Sequence, residues 1–139
     1  MHCLTDYDTK VLLAFNESLK NDKKFTQFLI ENGFPELSAL SCAILSDTEA
    51  LDWLFNNGYP EFGVLSNAID NEELAIKWLE KYDCSFLSIF AAACRKNDKA
   101  IKWFVDNNLE LFILIIKNIH DILLFQSWDS SDIHRLRRS

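Results

Sequence analysis

The chain has 139 residues, nearly half of them apolar, with three glycines, two prolines and a net charge of −7. That is enough material for one continuous core and too little Gly and Pro for a linker, so one domain over residues 1–139 is expected. An acidic middle next to a basic step argues against nucleic-acid binding, which needs a contiguous basic surface, and the longest apolar stretch, Leu111 to Ile116, is far too short to span a bilayer.

Met1-His2-Cys3-Leu4-Thr5-Asp6 lacks the basic start and apolar run of a signal peptide, so a cytoplasmic protein is expected. Beyond it, the chain's four tryptophans, Trp53, Trp78, Trp103 and Trp128, stand 25 residues apart. A fixed period of this length predicts stacked helical pairs, here units 6–30, 31–55, 56–80, 81–105 and 106–130 with a tail 131–139. Other columns keep the same phase. Leu19, Ile44, Ile69, Cys94 and Ile119 share one, and Ala50, Ala75 and Ala100 another.

The first unit carries Phe28 in the tryptophan column and turns at Asn21-Asp22. The second opens after Asn32-Gly33 with Phe34-Pro35-Glu36 and turns at Ser46-Asp47, where Ser46 and Glu49 fit a capping box. The third repeats this opening as Asn57-Gly58-Tyr59-Pro60-Glu61. Its apolar residues fall in two bursts at helical spacing, Phe62, Val64, Leu65, Ala68, Ile69 and then Leu74, Ala75, Ile76, Trp78, Leu79, separated by Asp70-Asn71. The fourth unit turns at Lys96-Asn97. Gly suits the left-handed residue after a helix end and Pro the first turn of the next helix. Each row is therefore predicted to be a helix-turn-helix, with its large apolar residues, tryptophans included, buried between neighbouring units. The fifth unit is unusually apolar from Leu111 to Ile116 and from Ile122 to Phe125. Either the tail caps it through Ile133 and Leu136, leaving Arg135, Arg137 and Arg138 exposed, or it docks on a second copy or another protein.

Phe62 through Leu79 resembles the ankyrin family, with Leu65, Ala68, Asn71, Leu74, Ala75 and Trp78-Leu79 at that family's apolar, alanine, turn and paired-leucine positions. Leu87 through Phe104 matches in the same way. The Thr-Pro-Leu-His opening is missing, and 25 residues leave no room for the β-hairpin of the usual unit. Divergent ankyrin-like proteins of large DNA viruses look similar, which would place the chain in host cytoplasm. The resemblance implies an all-α solenoid of about five stacked helix-turn-helix repeats that binds protein along one face, with no catalytic residues to carry over.

Chemistry-bearing residues do not converge in the sequence. Cys3, Cys42, Cys84 and Cys94 form no Cys-x-x-Cys pair and are expected to be reduced. His2, His120 and His134 lack a ligand at metal spacing, and His2-Cys3 sits at what is expected to be a mobile end. Cys94 and His120 lie 26 residues apart, but in columns that face different ways, against a nucleophile and its base. Glu36 and Glu61 recur as charged helix starts. The expectation is a protein without catalytic, cofactor-binding or metal-binding residues.

In an open stack the first helices line a curved side, so Ser41, Cys42, Ser66, Asn67, Asp70 and Arg95 are the expected partner-binding residues. Charge offers a second surface. Residues 31–55 hold five carboxylates and no Lys or Arg, and residues 56–80 five carboxylates against one lysine. An acidic inhibitor or mimic that blocks a basic cleft would use Glu49, Asp52, Glu61, Glu72, Glu73 and Glu80 with Asp70. The expected partner is a protein, with neither nucleic acid nor membrane, and a self-assembling homodimer through the apolar C-terminal unit is the third alternative.

Overall fold

The computed structural model describes the backbone of residues 2–138 and the side chains of residues 2–127. Within them the chain is all-helical, without strands. A 3-10 turn at Leu4–Asp6 precedes α1 (Thr9–Ser18), α2 (Lys23–Glu31), α3 (Pro35–Ile44), α4 (Thr48–Asn56), α5 (Pro60–Ile69), α6 (Glu73–Lys81), α7 (Ser85–Cys94), α8 (Asp98–Asp106) and α9 (Glu110–Arg138). From α3 on the odd helices start at 35, 60, 85 and 110, and the even helices start at 23, 48, 73 and 98.

Turn chemistry produces this regularity. Inside the first four units one residue takes the left-handed conformation, Asn21 (φ 61), Ser46 (φ 79), Asn71 (φ 66) or Lys96 (φ 67). In three of them the next side chain caps the following helix: Asp22 accepts from the Lys24 amide, Asp47 from the Glu49 and Ala50 amides, and Asn97 from the Ala100 amide. The cap of α4 is therefore Asp47, one residue beyond the expected Ser46. Between units Gly33 (φ 88) and Gly58 (φ 89) make the left-handed turn, and Asp83 (φ 57) and Asn108 (φ 55) replace them later. Each turn closes by a bond across the helix end, from the Phe34, Tyr59, Cys84 and Leu109 amides to the Leu29, Leu54, Leu79 and Phe104 carbonyls at 2.8–3.1 Å. Pro35 and Pro60 occupy the first turns of α3 and α5.

The fifth unit departs from its expected helix pair. Asp121 and Ile122 fill its turn and capping columns, and an isoleucine has no acceptor for an amide. Through these columns α9 continues as a single helix of 29 residues; a missing side-chain cap alone does not account for this, since α6 starts after Glu72 without one.

The expected open stack is also closed. Each even helix lies between the odd helices before and after it. The odd helices pack in sequence, α1 on α3, α3 on α5, α5 on α7 and α7 on α9, and α9 returns to α1. Asn118 Nδ2 donates to Asn16 Oδ1 across this last seam at 2.6 Å. Four columns of the odd helices face the common axis, at i, i+3, i+4 and i+7. Phe15, Leu40, Leu65, Phe90 and Ile115 form one of them, and Asn16, Ser41, Ser66, Ala91 and Ile116 another, all buried. A buried aromatic removes about 150–250 Å² from water, on the order of 4–6 kcal/mol before chain entropy is set against it. Closing the circuit thus turns part of the expected partner-binding surface, Ser41 and Ser66, into core. The even helices bury Leu29, Leu54, Leu79 and Phe104 completely, whereas Trp53, Trp78 and Trp103, one residue earlier, are partly exposed. The deep anchor is the residue after the expected one.

Candidate functional site

Both ends of the circuit are covered by the chain's own termini. At the end where α3 and α5 begin, residues 2–7 lie across the core and Leu4 is wholly buried. Tyr7 Oη donates to Glu36 Oε1 at 2.8 Å, and His2 engages Glu61 Oε1 through both its amide (3.2 Å) and Nδ1 (2.6 Å). The Tyr7 phenol is pushed up by burial and by its bond to Glu36. Tyr59 is raised by burial and then by Glu36, and it stacks on Trp53 with ring centroids 6.0 Å apart. Glu36 Oε2 is buried and has no hydrogen-bond partner among the described residues. The N-terminal segment, expected to be mobile, is thus tied to two buried carboxyl groups. Glu36 and Glu61 are not exposed helix-start charges, because the closed circuit brings residues 2–7 over them.

At the other end α9 outruns its neighbours and crosses them. His120 Nδ1 lies 3.1 Å from the Cys94 carbonyl oxygen, and Gln126 Nε2 donates to Ser46 Oγ at 2.9 Å and to the Ile44 carbonyl at 3.3 Å. Between α9 and the ends of α5 and α7 opens a groove of about 690 Å³, whose lining includes Asp70, Arg95, His120, Leu123, Leu124 and Gln126. Arg95 Nη1 donates to the Ala68 carbonyl at 2.5 Å, so a cation closes the end of α5, where the helix dipole favours it. Burial holds the Arg95 guanidinium below its usual pKa. The Asp70 carboxyl is pushed up by burial and further by the charge of Glu72. The groove therefore offers a carboxyl group, a guanidinium and an imidazole beside two leucines, a lining suited to a segment with both polar and apolar side chains.

Of the expected partner-binding residues the structure brings Asp70 and Arg95 together in this groove. Ser41 and Ser66 are corrected: both face the core, and Ser41 Oγ donates to the Ser38 carbonyl at 2.9 Å. Cys42 and Asn67 are half-buried. On the expected acidic face Glu49, Asp52, Glu72, Glu73 and Glu80 are exposed, and Glu73 pairs with Lys77 at 3.0 Å. Glu61 is removed from that face by its burial under His2. His120 was not expected in the groove, yet it shares the column of Lys20, Leu45, Asp70 and Arg95, so the period contained that signal. Cys94 is wholly buried with its thiol pushed up by burial, and His120 meets its carbonyl oxygen. Trp128 and the tail 131–139, with Ile133, His134, Arg135, Leu136, Arg137 and Arg138, lie outside the described side chains, and so does the capping expected of that tail. Among the described residues no helix is long and apolar enough to cross a membrane. Compared with protein-family models, curated proteins and solved structures, the chain matches none.

Proposed function

We propose that the protein is a non-enzymatic protein-protein interaction module built on an ankyrin-like helical repeat scaffold, and that it takes its partner at the groove between α5, α7 and α9. The observation that carries this reading is the lining of that groove, where Asp70, Arg95 and His120 stand beside Leu123 and Leu124. A charged anchor of each sign next to an apolar floor provides both orientation and buried area for a peptide segment. The recurring helix starts support the repeat reading.

The test is capture of the partner from the source cell, or from its host if the source is a virus. Wild type is run beside Asp70→Ala and Arg95→Glu, with a variant carrying Glu49→Lys, Asp52→Lys, Glu72→Lys and Glu73→Lys as the comparison. Loss of the partner with the first two and retention by the third is expected. Retention by Asp70→Ala and Arg95→Glu together with loss by the third would move binding to the acidic face, where it would also weaken steeply with salt.

A further inference from the structure

The sequence holds two Asn-Gly pairs, Asn32–Gly33 and Asn57–Gly58, and both stand where one unit joins the next. Such a pair has a chemistry of its own. Glycine has no side chain to screen its backbone nitrogen, which can therefore reach the Cγ of the preceding asparagine and close a five-membered ring. All four residues are exposed. The glycines make left-handed turns with φ 88 and φ 89. Each asparagine ties its carboxamide back to its helix, Asn32 Nδ2 donating to the Phe28 carbonyl at 2.7 Å and Asn57 Nδ2 to the Trp53 carbonyl at 2.8 Å. Asn107 makes the same bond to the Trp103 carbonyl at 2.7 Å, but Asn108 follows it and its side chain shields the nitrogen.

The two pairs differ in their main chain. At the end of α2 both amides are engaged: the Asn32 N–H donates to the Phe28 carbonyl at 3.1 Å and the Gly33 N–H to the Ile30 carbonyl at 3.3 Å. At the end of α4 neither the Asn57 nor the Gly58 amide has a hydrogen-bond partner among the described residues. The Trp53 carbonyl accepts the Asn57 side chain and not the Asn57 amide. The turns are otherwise closed alike, by the Phe34 amide at 2.8 Å and the Tyr59 amide at 3.0 Å. At Asn57–Gly58 the attacking nitrogen is thus unengaged, and one carboxamide bond restrains the carbon that it attacks.

We propose that Asn57 is a modification site, converted by its own neighbour, and that the fold selects it over Asn32. The Gly58 nitrogen gives its proton to hydroxide and attacks Asn57 Cγ. The new C–N bond forms as the Cγ–Nδ2 bond breaks, and Nδ2 leaves as ammonia with a proton taken from water. Water then opens the resulting succinimide at either carbonyl, leaving aspartate or isoaspartate at this position. Hydroxide and water are the only co-reactants. Either product puts a carboxylate at the C-terminal end of α4, where the helix dipole disfavours it, and removes the donor to the Trp53 carbonyl. Isoaspartate also adds a carbon to the main chain, inside the turn that carries Tyr59 onto Trp53 (centroids 6.0 Å apart) and Glu61 to His2 (2.6 Å).

In the test the full chain is aged in mildly alkaline buffer made with heavy-oxygen water, then digested, and both pairs are followed by mass spectrometry with fragmentation that separates isoaspartate from aspartate. Heavy oxygen marks only what forms during the incubation. In the folded chain the pair at 57 should convert at least about threefold faster than the pair at 32, where two further backbone hydrogen bonds must open. In the chain unfolded in guanidinium the two rates should agree within about twofold, because the fold no longer distinguishes them. Asn57→Gln, whose longer side chain would have to close a six-membered ring, should abolish conversion at 57 and leave that at 32 unchanged. Equal or inverted rates in the folded chain overturn the proposal, and so does absence of conversion at 57. A gap as large in guanidinium as in the folded chain overturns it too, because the sequence and not the end of α4 would then set the rate. Conversion that persists at 57 in Asn57→Gln would show that the product does not come through the ring.

Discussion

Closure of the helical circuit rests on the seam between α1 and α9, and the pair Asn16–Asn118 tests it across 102 residues of sequence. Asn16 is 2% exposed and its Oδ1 accepts the Asn118 amide at 2.6 Å. Asn118→Leu removes the donor and leaves a buried acceptor unsatisfied, which costs about 1–3 kcal/mol. Asn16→Leu strands the half-buried Asn118 amide and costs somewhat less. Replacing both with leucine, which shares asparagine's branching but is larger, removes the bond and both orphans together, leaving only the overpacking that each single variant also carries. Urea unfolding of the four proteins gives the cycle by linear extrapolation. The double variant should be more stable than the sum of the single effects by roughly 1–2 kcal/mol, with the slope against urea unchanged. In an open stack the first and fifth units would stand far apart, and effects at such sites add within about 0.3–0.5 kcal/mol. Additivity of that quality would refute the closed circuit.

Three further outcomes follow from the same packing. Phe104→Ala should cost about 3–5 kcal/mol in urea unfolding, because the ring is wholly buried and meets Phe86, Phe90 and Phe112 with centroids 5.7–6.4 Å away; a loss below 1 kcal/mol, to take a round figure of about that size, would contradict its place in the core. Tyr7→Phe removes a hydrogen bond to the buried Glu36 carboxyl and should cost roughly 1.5–3 kcal/mol, with amide exchange of residues 2–7 accelerated ahead of the rest of the chain; uniform exchange would show that the segment is not held there. Asp70→Asn tests the raised carboxyl. A carboxyl whose folded pKa lies above its unfolded value binds more protons when folded, so stability falls as pH rises through that interval and the penalty persists above it. The asparagine variant should therefore melt above wild type at pH 7 and lose that advantage below the ordinary carboxylate range; an advantage independent of pH would mean that the charge is not its cause.

Much of the helix pattern was legible in the residues because turn chemistry is local. Gly33, Gly58, Pro35, Pro60 and the Asn and Asp turns mark helix ends through φ preferences and amide capping, and neither depends on what packs nearby. The missing second helix of the fifth unit was only partly legible: Ile122 stands where Asp22, Asp47 and Asn97 cap, yet α6 starts after Glu72 without a side-chain cap, so the lost acceptor alone does not decide. Closure was not legible. Whether five units form an open arc or a ring depends on small rotations between neighbours, and a column of small residues such as Ser41, Ser66 and Ala91 suits a shallow concave surface as well as a crowded axis. The seam itself supplies the only polar side chain pair that links α1 to α9 among the described hydrogen bonds, and Asn16 and Asn118 lie in columns filled elsewhere by Ser, Ala and Ile and by Ser and Ala. Once the ring closes, the expected surface divides: Ser41 and Ser66 become core, while Asp70 and Arg95 stay accessible where the period breaks. That place is the groove under the overlong α9, where His120 joins them. It follows from a single departure, a fifth unit that runs on as one helix instead of breaking into two.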